Sequence, residues 1–188
     1  MDNTLFIFDF DDTLVFSGAV VHITHADGSE ESLESHEFAT YQEQPGDQFD
    51  YSEFEVYPPN GKIIKKTFAK LLEVISVHGP DNVMVLSARG NAEPMRQFLS
   101  DHGLSANIEI VGVGSANPSQ KAAYVDQKLQ TNKWTSVEVF EDSLANINAI
   151  GAMIKSKYPK VFFLKNHIQA EGILRKTIYN LLKELFCV

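Results

Sequence analysis

The sequence has little of what disulfide-rich and membrane-spanning proteins need. Its single cysteine, Cys187, cannot form an intrachain disulfide, and so few thiols are typical of proteins from a reducing compartment. No apolar run approaches the ~20 residues of a membrane-spanning helix, and residues 1–4 lack the basic start and long apolar stretch of a signal peptide. We therefore expect a cytoplasmic protein with no membrane partner.

Basic residues are also scarce. The formal net charge is −9, from 25 acidic and 16 basic side chains, and residues 17–58 hold ten acidic residues and no Lys or Arg. A negative surface repels nucleic-acid backbones, which argues against non-specific nucleic-acid binding. It does not argue against a small phosphorylated substrate held in a locally positive pocket. The oligomeric state has no signature in the sequence.

Short apolar runs alternate with amphipathic stretches along the chain. Runs of Val, Ile, Leu and Phe predict strands that are covered on both faces, and they lie at residues 4–10, 83–86, 108–111, 137–140 and 161–164. Helical spacing of apolar residues is present at 63–75, 92–101, 119–129, 144–157 and 174–185. The alternation predicts an α/β fold, with a Rossmann-like parallel sheet flanked by helices, in a single domain over residues 1–188.

Residues 17–58, which we call the insertion, interrupt this alternation directly after the first predicted strand. Residues 20–24 and 32–35 predict a β-hairpin around the turn-rich stretch 26–29, and residues 44–47 predict a second turn. The insertion is short for an independent domain. We expect a small acidic cap made of a hairpin and an irregular segment.

Polar residues fall at the ends of three predicted strands: Asp9 and Asp11, Ser87, and Glu141 with Asp142. Carboxyl ends of parallel strands form the ligand-binding edge of such sheets. One carboxylate of the first pair can attack phosphorus while the other protonates the leaving oxygen and later deprotonates water. A divalent cation would offset the negative charges, and Mg²⁺ prefers oxygen ligands. The alternatives are a solvated acidic turn or a calcium loop; the central Gly and closing Glu of an EF-hand loop are absent.

The run from Phe8 to Leu14, Phe-Asp-Phe-Asp-Asp-Thr-Leu, resembles the first motif of the haloacid dehalogenase-like (HAD) superfamily, an apolar strand followed by Asp-x-Asp-x-Thr. Ser87 resembles the second motif and Lys121 the third. Glu141-Asp142-Ser143 resembles the fourth, the acidic pair. The motifs follow in family order, and the resemblance covers the chain except most of the insertion. It implies a small-cap phosphatase with the HAD fold.

The resemblance also implies catalytic roles. Asp9 is expected to be the nucleophile, Asp11 the general acid and base, and Lys121 the cation that neutralises the nucleophile and the phosphate. A Mg²⁺ ion is expected on the Asp9 carboxylate, the Asp11 backbone carbonyl and Asp142. Glu141 would bind the ion directly or through water.

Substrate contacts are expected from the second motif. Ser87 and the backbone N–H of Ala88 would bind phosphoryl oxygens, and Arg89 would reach the phosphate or a more distant group of the substrate. Three alternatives remain open. Ser87 could cap a helix, Arg89 could lie on the surface, and Lys128 or Lys133 could replace the third-motif lysine.

We therefore expect a Mg²⁺-dependent phosphomonoester hydrolase that forms a phospho-aspartyl intermediate and acts on a small phosphorylated metabolite or nucleotide. Asp11 argues against a dehalogenase, and the short insertion argues against a phosphomutase, whose larger cap excludes water. One alternative is an end-repair enzyme similar to polynucleotide 3′-phosphatases, which look alike around Ser87 to Arg89; the acidic insertion opposes it. The other is a non-catalytic binding module on the same fold, which the presence of Asp9, Asp11 and Lys121 opposes.

Overall fold

The structure is a computed structural model that describes residues 3–38, 41–131 and 133–169. Cys187 and the helix predicted at 174–185 lie outside these residues. The described strands are β1 Thr4–Phe8, β2 Val15–Phe16, β3 Val20–Thr24, β4 Glu30–Glu34, β5 Gln48–Asp50, β6 Lys62–Ile63, β7 Val83–Ser87, β8 Glu109–Gly112, β9 Ser136–Glu141 and β10 Phe162–His167. The described α-helices are α1 Ser35–Phe38, α2 Lys65–His78, α3 Ala92–Asp101, α4 Pro118–Leu129 and α5 Leu144–Lys157.

Five of these strands form one parallel sheet in the order β10-β9-β1-β7-β8. The chain leaves β1 toward β7 on one side, and it leaves β9 toward β10 on the other. Loops that diverge in this way open a crevice at the carboxyl ends of two neighbouring strands, here β1 and β9. The predicted α/β fold with a Rossmann-like parallel sheet is confirmed.

Strand β1 is buried on both of its faces. Phe6 and Phe8 pack in a cluster with apolar side chains of α2 and α3, whereas Leu5 and Ile7 pack with those of α4 and α5. Alternate residues of a strand point to opposite faces, so both sets must be apolar when helices cover both sides. This explains the uninterrupted apolar run in the sequence and places the end of β1 at the centre of the domain.

Capping residues fix the ends of the flanking helices. The Asn91 and Asn117 side chains accept hydrogen bonds from backbone N–H groups at the starts of α3 and α4, at 3.1 and 3.0 Å. Ser143 caps α5 in the same way, and Gly79, at φ 86°, ends α2. One boundary differs from the prediction: α2 begins at Lys65 because residue 63 belongs to β6. None of the described helices has both the length and the hydropathy that a membrane crossing needs.

A short ribbon joins the insertion to the rest of the fold. Strands β2 and β6 pair antiparallel, so the chain leaves and re-enters the domain side by side. Between them lies a three-stranded antiparallel sheet in the order β4-β3-β5. The predicted hairpin is present, although its second strand is Glu30–Glu34 rather than 32–35. The predicted turn at 44–47 is also present, where Asp47 N–H bonds to the Gln44 carbonyl.

Candidate active site

Four buried polar side chains meet at the carboxyl edge of the parallel sheet. Asp9 directly follows β1, Ser87 ends β7, Glu141 ends β9, and Lys121 lies in the first turns of α4. The Asp9 N–H continues the β1–β9 ladder by bonding to the Phe140 carbonyl at 2.9 Å. Each of the four side chains belongs to a residue that is at most 5% exposed. The fold therefore brings together residues from four separate stretches of sequence.

Three carboxylates form an acidic cluster beside a single ammonium. Asp9, Glu141 and Asp142 each offer a carboxylate oxygen, and these oxygens lie within 4.8 Å of one another. Lys121 Nζ donates to Asp9 Oδ1 at 2.6 Å and to Glu141 Oε2 at 2.8 Å. One ammonium cannot balance three carboxylates, so the acidic cluster has an excess of negative charge.

The pKa values of the acidic cluster show the consequence. Burial, and then the charge of Glu141, raises the pKa of Asp9 to about 7. Burial, and then the charge of Asp9, raises the pKa of Asp142 to about 9. Burial alone would lower the pKa of Lys121, but Asp9 and Glu141 outweigh it and raise that pKa above its usual range. A divalent cation in the acidic cluster would favour the ionised carboxylates, and carboxylate oxygens are the ligands that Mg²⁺ prefers.

Glu141, the last residue of β9, and Asp142, which follows it, have different surroundings. Glu141 Oε2 accepts from Lys121, and Glu141 Oε1 accepts from the Ser143 N–H at 3.2 Å and from Asn146 Nδ2 at 3.0 Å. Among the described residues, Asp142 accepts a long hydrogen bond, at 3.5 Å, from Thr13 Oγ1. The Asp142 oxygens therefore have fewer competing donors, which favours Asp142 as the cation ligand and Glu141 as the side chain that orients Lys121.

The Asp11 carboxylate is not part of the acidic cluster. Arg89 binds it with two hydrogen bonds, from Nε to Oδ2 and from Nη2 to Oδ1, both at 2.8 Å. Ser17 Oγ donates a third hydrogen bond to Oδ1 at 2.6 Å. Asp11 is held two positions after Asp9 by residues that lie 6 and 78 positions from it in the sequence.

Arg89 is engaged by the protein itself. It is 2% exposed, so the alternative that it lies on the surface is wrong. Besides binding Asp11, its Nη1 donates to the backbone carbonyls of Phe54 at 2.8 Å and Val56 at 3.3 Å. Each nitrogen of the guanidinium has a protein partner in this arrangement. Contact with substrate through Arg89 stays a prediction.

The remaining predicted residues are placed as follows. Ser87 is 1% exposed, and its Oγ accepts from the Arg89 N–H at 3.2 Å; the helix-capping alternative is wrong because Asn91 caps α3. Ala88 is exposed beside it.

Lys128 pairs with Glu109 on another part of the surface, and the Lys133 ammonium lies over the Trp134 ring. The lysine that contacts Asp9 is therefore Lys121.

Sequence reasoning missed several residues that support the site. Ser17 and Asn146 donate to the carboxylates of Asp11 and Glu141, and the carbonyls of Phe54 and Val56 accept from Arg89. The sequence marks neither kind of contact: a serine or an asparagine near a carboxylate has no distinctive spacing, and the two carbonyls lie 35 and 33 residues from Arg89. Gly112 carries a readable signal: a Cβ there would lie 2.3 Å from the Arg89 carbonyl oxygen. Only glycine allows β8 to approach the loop after β7 so closely.

Comparisons with known proteins add to the description of the fold. No family model and no curated protein matches the sequence. Among solved structures, the crystal structure of the Legionella pneumophila effector Ceg4 is similar, with a TM-score of 0.51 and 14% sequence identity. The match covers 95% of this chain and 94% of that chain. At this identity the likeness concerns the arrangement of helices and strands alone.

Proposed function

We propose that this protein is a Mg²⁺-dependent phosphomonoesterase of the HAD type, with Asp9 as the nucleophile. One observation carries the proposal: a buried cluster of Asp9, Glu141 and Asp142, bridged by Lys121, at the carboxyl edge of a parallel sheet. A structural ion pair needs one carboxylate for one ammonium. Three carboxylates in a buried site cost stability, and such a cost is typical of functional sites.

The residues at this edge support a two-step reaction. In the first step, an Asp9 carboxylate oxygen attacks phosphorus, the bond from phosphorus to the leaving oxygen breaks, and Asp11, which starts this step protonated, gives that oxygen its proton. In the second step, Asp11 takes a proton from water, the water oxygen attacks phosphorus, and the bond to Asp9 breaks. Inorganic phosphate leaves, and both aspartates return to their starting states.

Each neighbouring side chain has a task in this scheme. Lys121, fixed between Asp9 and Glu141, offsets the charge that develops on the nucleophile and the phosphoryl oxygens. Ser87 and the backbone after it would donate to phosphoryl oxygens. Asp9, Asp142 and the Asp11 backbone carbonyl would hold Mg²⁺, with Glu141 next to them. When bound, the cation supplies the positive charge that lets an anionic ester approach two carboxylates.

The insertion favours small substrates. Glu55, in the insertion, accepts from the Gly90 N–H at 2.9 Å, next to Arg89 in the loop after β7. A carboxylate beside the loop that is expected to bind phosphate repels additional phosphates. We therefore propose a substrate with a single small phosphate ester, whose remaining groups are neutral or cationic.

Hydrolysis of p-nitrophenyl phosphate tests the proposal. We expect turnover with Mg²⁺, loss of turnover in EDTA, and recovery when Mg²⁺ is returned. Asp9→Asn should be inactive but folded. Asp81→Asn, which changes an exposed aspartate at the opposite edge of the sheet, is the matched control and should be active. Turnover that persists in EDTA, or in Asp9→Asn, would refute the proposal.

A further inference from the structure

The Asp11 carboxylate is linked to both ends of the insertion, directly at one end and through Arg89 at the other. Ser17, at the start of the insertion, donates to Oδ1 at 2.6 Å. Arg89 binds both carboxylate oxygens, and its third nitrogen donates to the carbonyls of Phe54 and Val56, near the end of the insertion. The same guanidinium therefore contacts the predicted general acid and the insertion.

The loop that carries Arg89 has further contacts with the insertion. Residues Ser52–Glu55 form a 3₁₀ turn, which we call the docking turn. Glu55 Oε1 accepts a hydrogen bond from the Gly90 N–H at 2.9 Å, and the Phe54 ring lies 5.3 Å from Arg89 Cζ. A Cβ at position 90 would lie 2.7 Å from Glu55 Oε1, so glycine permits this approach. The docking turn thus contacts the loop at both Arg89 and Gly90.

The hydrogen-bond count at Asp11 distinguishes its two oxygens. Oδ1 accepts from Arg89 Nη2 and from Ser17, whereas Oδ2 accepts from Arg89 Nε. A carboxylate oxygen has two acceptor positions, so among the described residues Oδ2 retains one. A bidentate guanidinium also fixes the plane of the carboxylate, which a lysine ammonium cannot do. Arg89 therefore determines where the remaining acceptor position of Asp11 points.

We infer that Arg89 is a positioning residue that orients Asp11 Oδ2 toward the leaving-group oxygen. This orientation depends on the docking turn. The inference rests on the proposed phosphatase function. It gives Arg89 a role through Asp11 in place of the substrate contact that the sequence predicts. When the docking turn is displaced, Arg89 loses the Phe54 carbonyl as an acceptor and Asp11 loses its fixed plane.

Two phosphate esters separate this role from substrate binding. Glycerol phosphate has a poor leaving group that needs a proton, whereas p-nitrophenyl phosphate has a good one that needs little help. Loss of a well-placed proton donor should therefore lower kcat/KM more for glycerol phosphate. Loss of a phosphate contact should lower kcat/KM equally for both esters, since both present the same phosphate, and should weaken inhibition by inorganic phosphate.

Arg89→Lys is the first variant, with Arg96→Lys as the matched control, because Arg96 contacts Asn107 and the Ile108 carbonyl away from the site. We expect Arg89→Lys to lower the ratio of kcat/KM for glycerol phosphate over p-nitrophenyl phosphate by at least about tenfold, since general acid catalysis contributes roughly 100-fold or more. Inhibition by inorganic phosphate should stay within about twofold of the unmodified protein. Equal losses on both esters, or weaker phosphate inhibition, would overturn the inference.

Glu55→Ala tests the dependence on the docking turn, and it decides the matter if Arg89→Lys fails to fold. This variant removes the contact with Gly90 and leaves the Arg89–Asp11 pair intact. We expect the ester ratio to fall in the same direction by a smaller factor, about threefold. An unchanged ratio would overturn the inference while leaving the proposed function standing. If the unmodified protein hydrolyses neither ester, the proposed function fails, and this inference fails with it.

Discussion

Asp9 and Asp142 are harder to ionise in the acidic cluster than in water, since they are removed from solvent and three carboxylates share one ammonium. The pKa of Asp9 is raised from 3.8 to about 7 and that of Asp142 from 3.8 to about 9, in both cases by burial first and then by neighbouring carboxylates. At Asp9 and Asp142 the folded state therefore binds more protons than the unfolded state, from about pH 4 up to about pH 7 and pH 9 respectively. The contribution of these two groups to the free energy of unfolding falls as the pH rises through this range, because their ionisation costs more in the folded protein.

Mg²⁺ should reverse this loss. The cation binds ionised carboxylates and releases their protons, so its stabilising effect should grow with pH. We expect Mg²⁺ to raise Tm more at pH 9 than at pH 6, by several degrees, measured by thermal unfolding in EDTA and in excess Mg²⁺. Asp142→Asn should abolish most of the difference. Equal Tm gains at both pH values would show that these carboxylates are not the binding site.

Substitutions at Glu141 and Asp142 should raise the Mg²⁺ requirement of the protein to different extents. Asp142→Ala should raise the Mg²⁺ concentration for half-maximal activity more than Glu141→Gln does, since Glu141 already accepts from Lys121, Ser143 and Asn146. Residues that support a ligand typically change metal affinity about 10–100-fold, so we expect about tenfold for Glu141→Gln and more for Asp142→Ala. Mg²⁺ titrations of activity in both variants measure this. The reverse order would make Glu141 the ligand.

At the scale of secondary structure, the sequence predicts elements whose signal is local. All five strands of the parallel sheet and the four longer helices were predictable, because apolar runs, helical spacing and capping residues such as Asn91 and Asn117 act over a few positions. Strands β2 and β6 could not be predicted, because each has only two residues and therefore shows no periodicity. The partners of Arg89 were not predictable either: Asp11 is 78 residues away and the Phe54 carbonyl 35 away, and a backbone acceptor has no sequence signature.

The insertion should restrict the size and charge of the substrate. We expect the intact protein to prefer a small phosphomonoester over a phosphorylated oligonucleotide in kcat/KM. Replacing residues 26–34 with a short Gly-Ser turn should reduce the difference in kcat/KM between these two substrates. That segment contains β4, an edge strand, so the β3–β5 ladder can remain. The combined variant Glu30→Gln, Glu31→Gln and Glu34→Gln is the charge control, because it keeps the strand. Preference of the intact protein for the oligonucleotide would instead favour the end-repair alternative.

Over the whole molecule, charge is divided unevenly. The insertion holds ten of the 25 acidic residues and none of the 16 basic ones, so the rest of the chain is close to neutral. The insertion begins directly after β2, and its docking turn contacts the loop after β7. The negative field of the protein is therefore concentrated around a segment that contacts this loop.

Salt should weaken this field, because charges are screened over roughly 8–10 Å at physiological ionic strength. We expect kcat/KM for the phosphorylated oligonucleotide to rise with NaCl relative to that for a small ester. The comparison is made with a fixed excess of Mg²⁺, from low to physiological salt. A ratio that falls with salt would mean that the polyanion is attracted, and it would contradict the electrostatic role of the insertion.

The central claim is that Asp9 becomes covalently phosphorylated, and trapping tests it most directly. Borohydride reduces an aspartyl phosphate to homoserine, which mass spectrometry can locate in a peptide. Protein quenched during turnover of p-nitrophenyl phosphate with Mg²⁺ should contain homoserine at position 9. The same modification should be absent in EDTA and in Asp9→Asn. Rapid turnover with an unmodified Asp9, or with homoserine at another aspartate, would contradict the account.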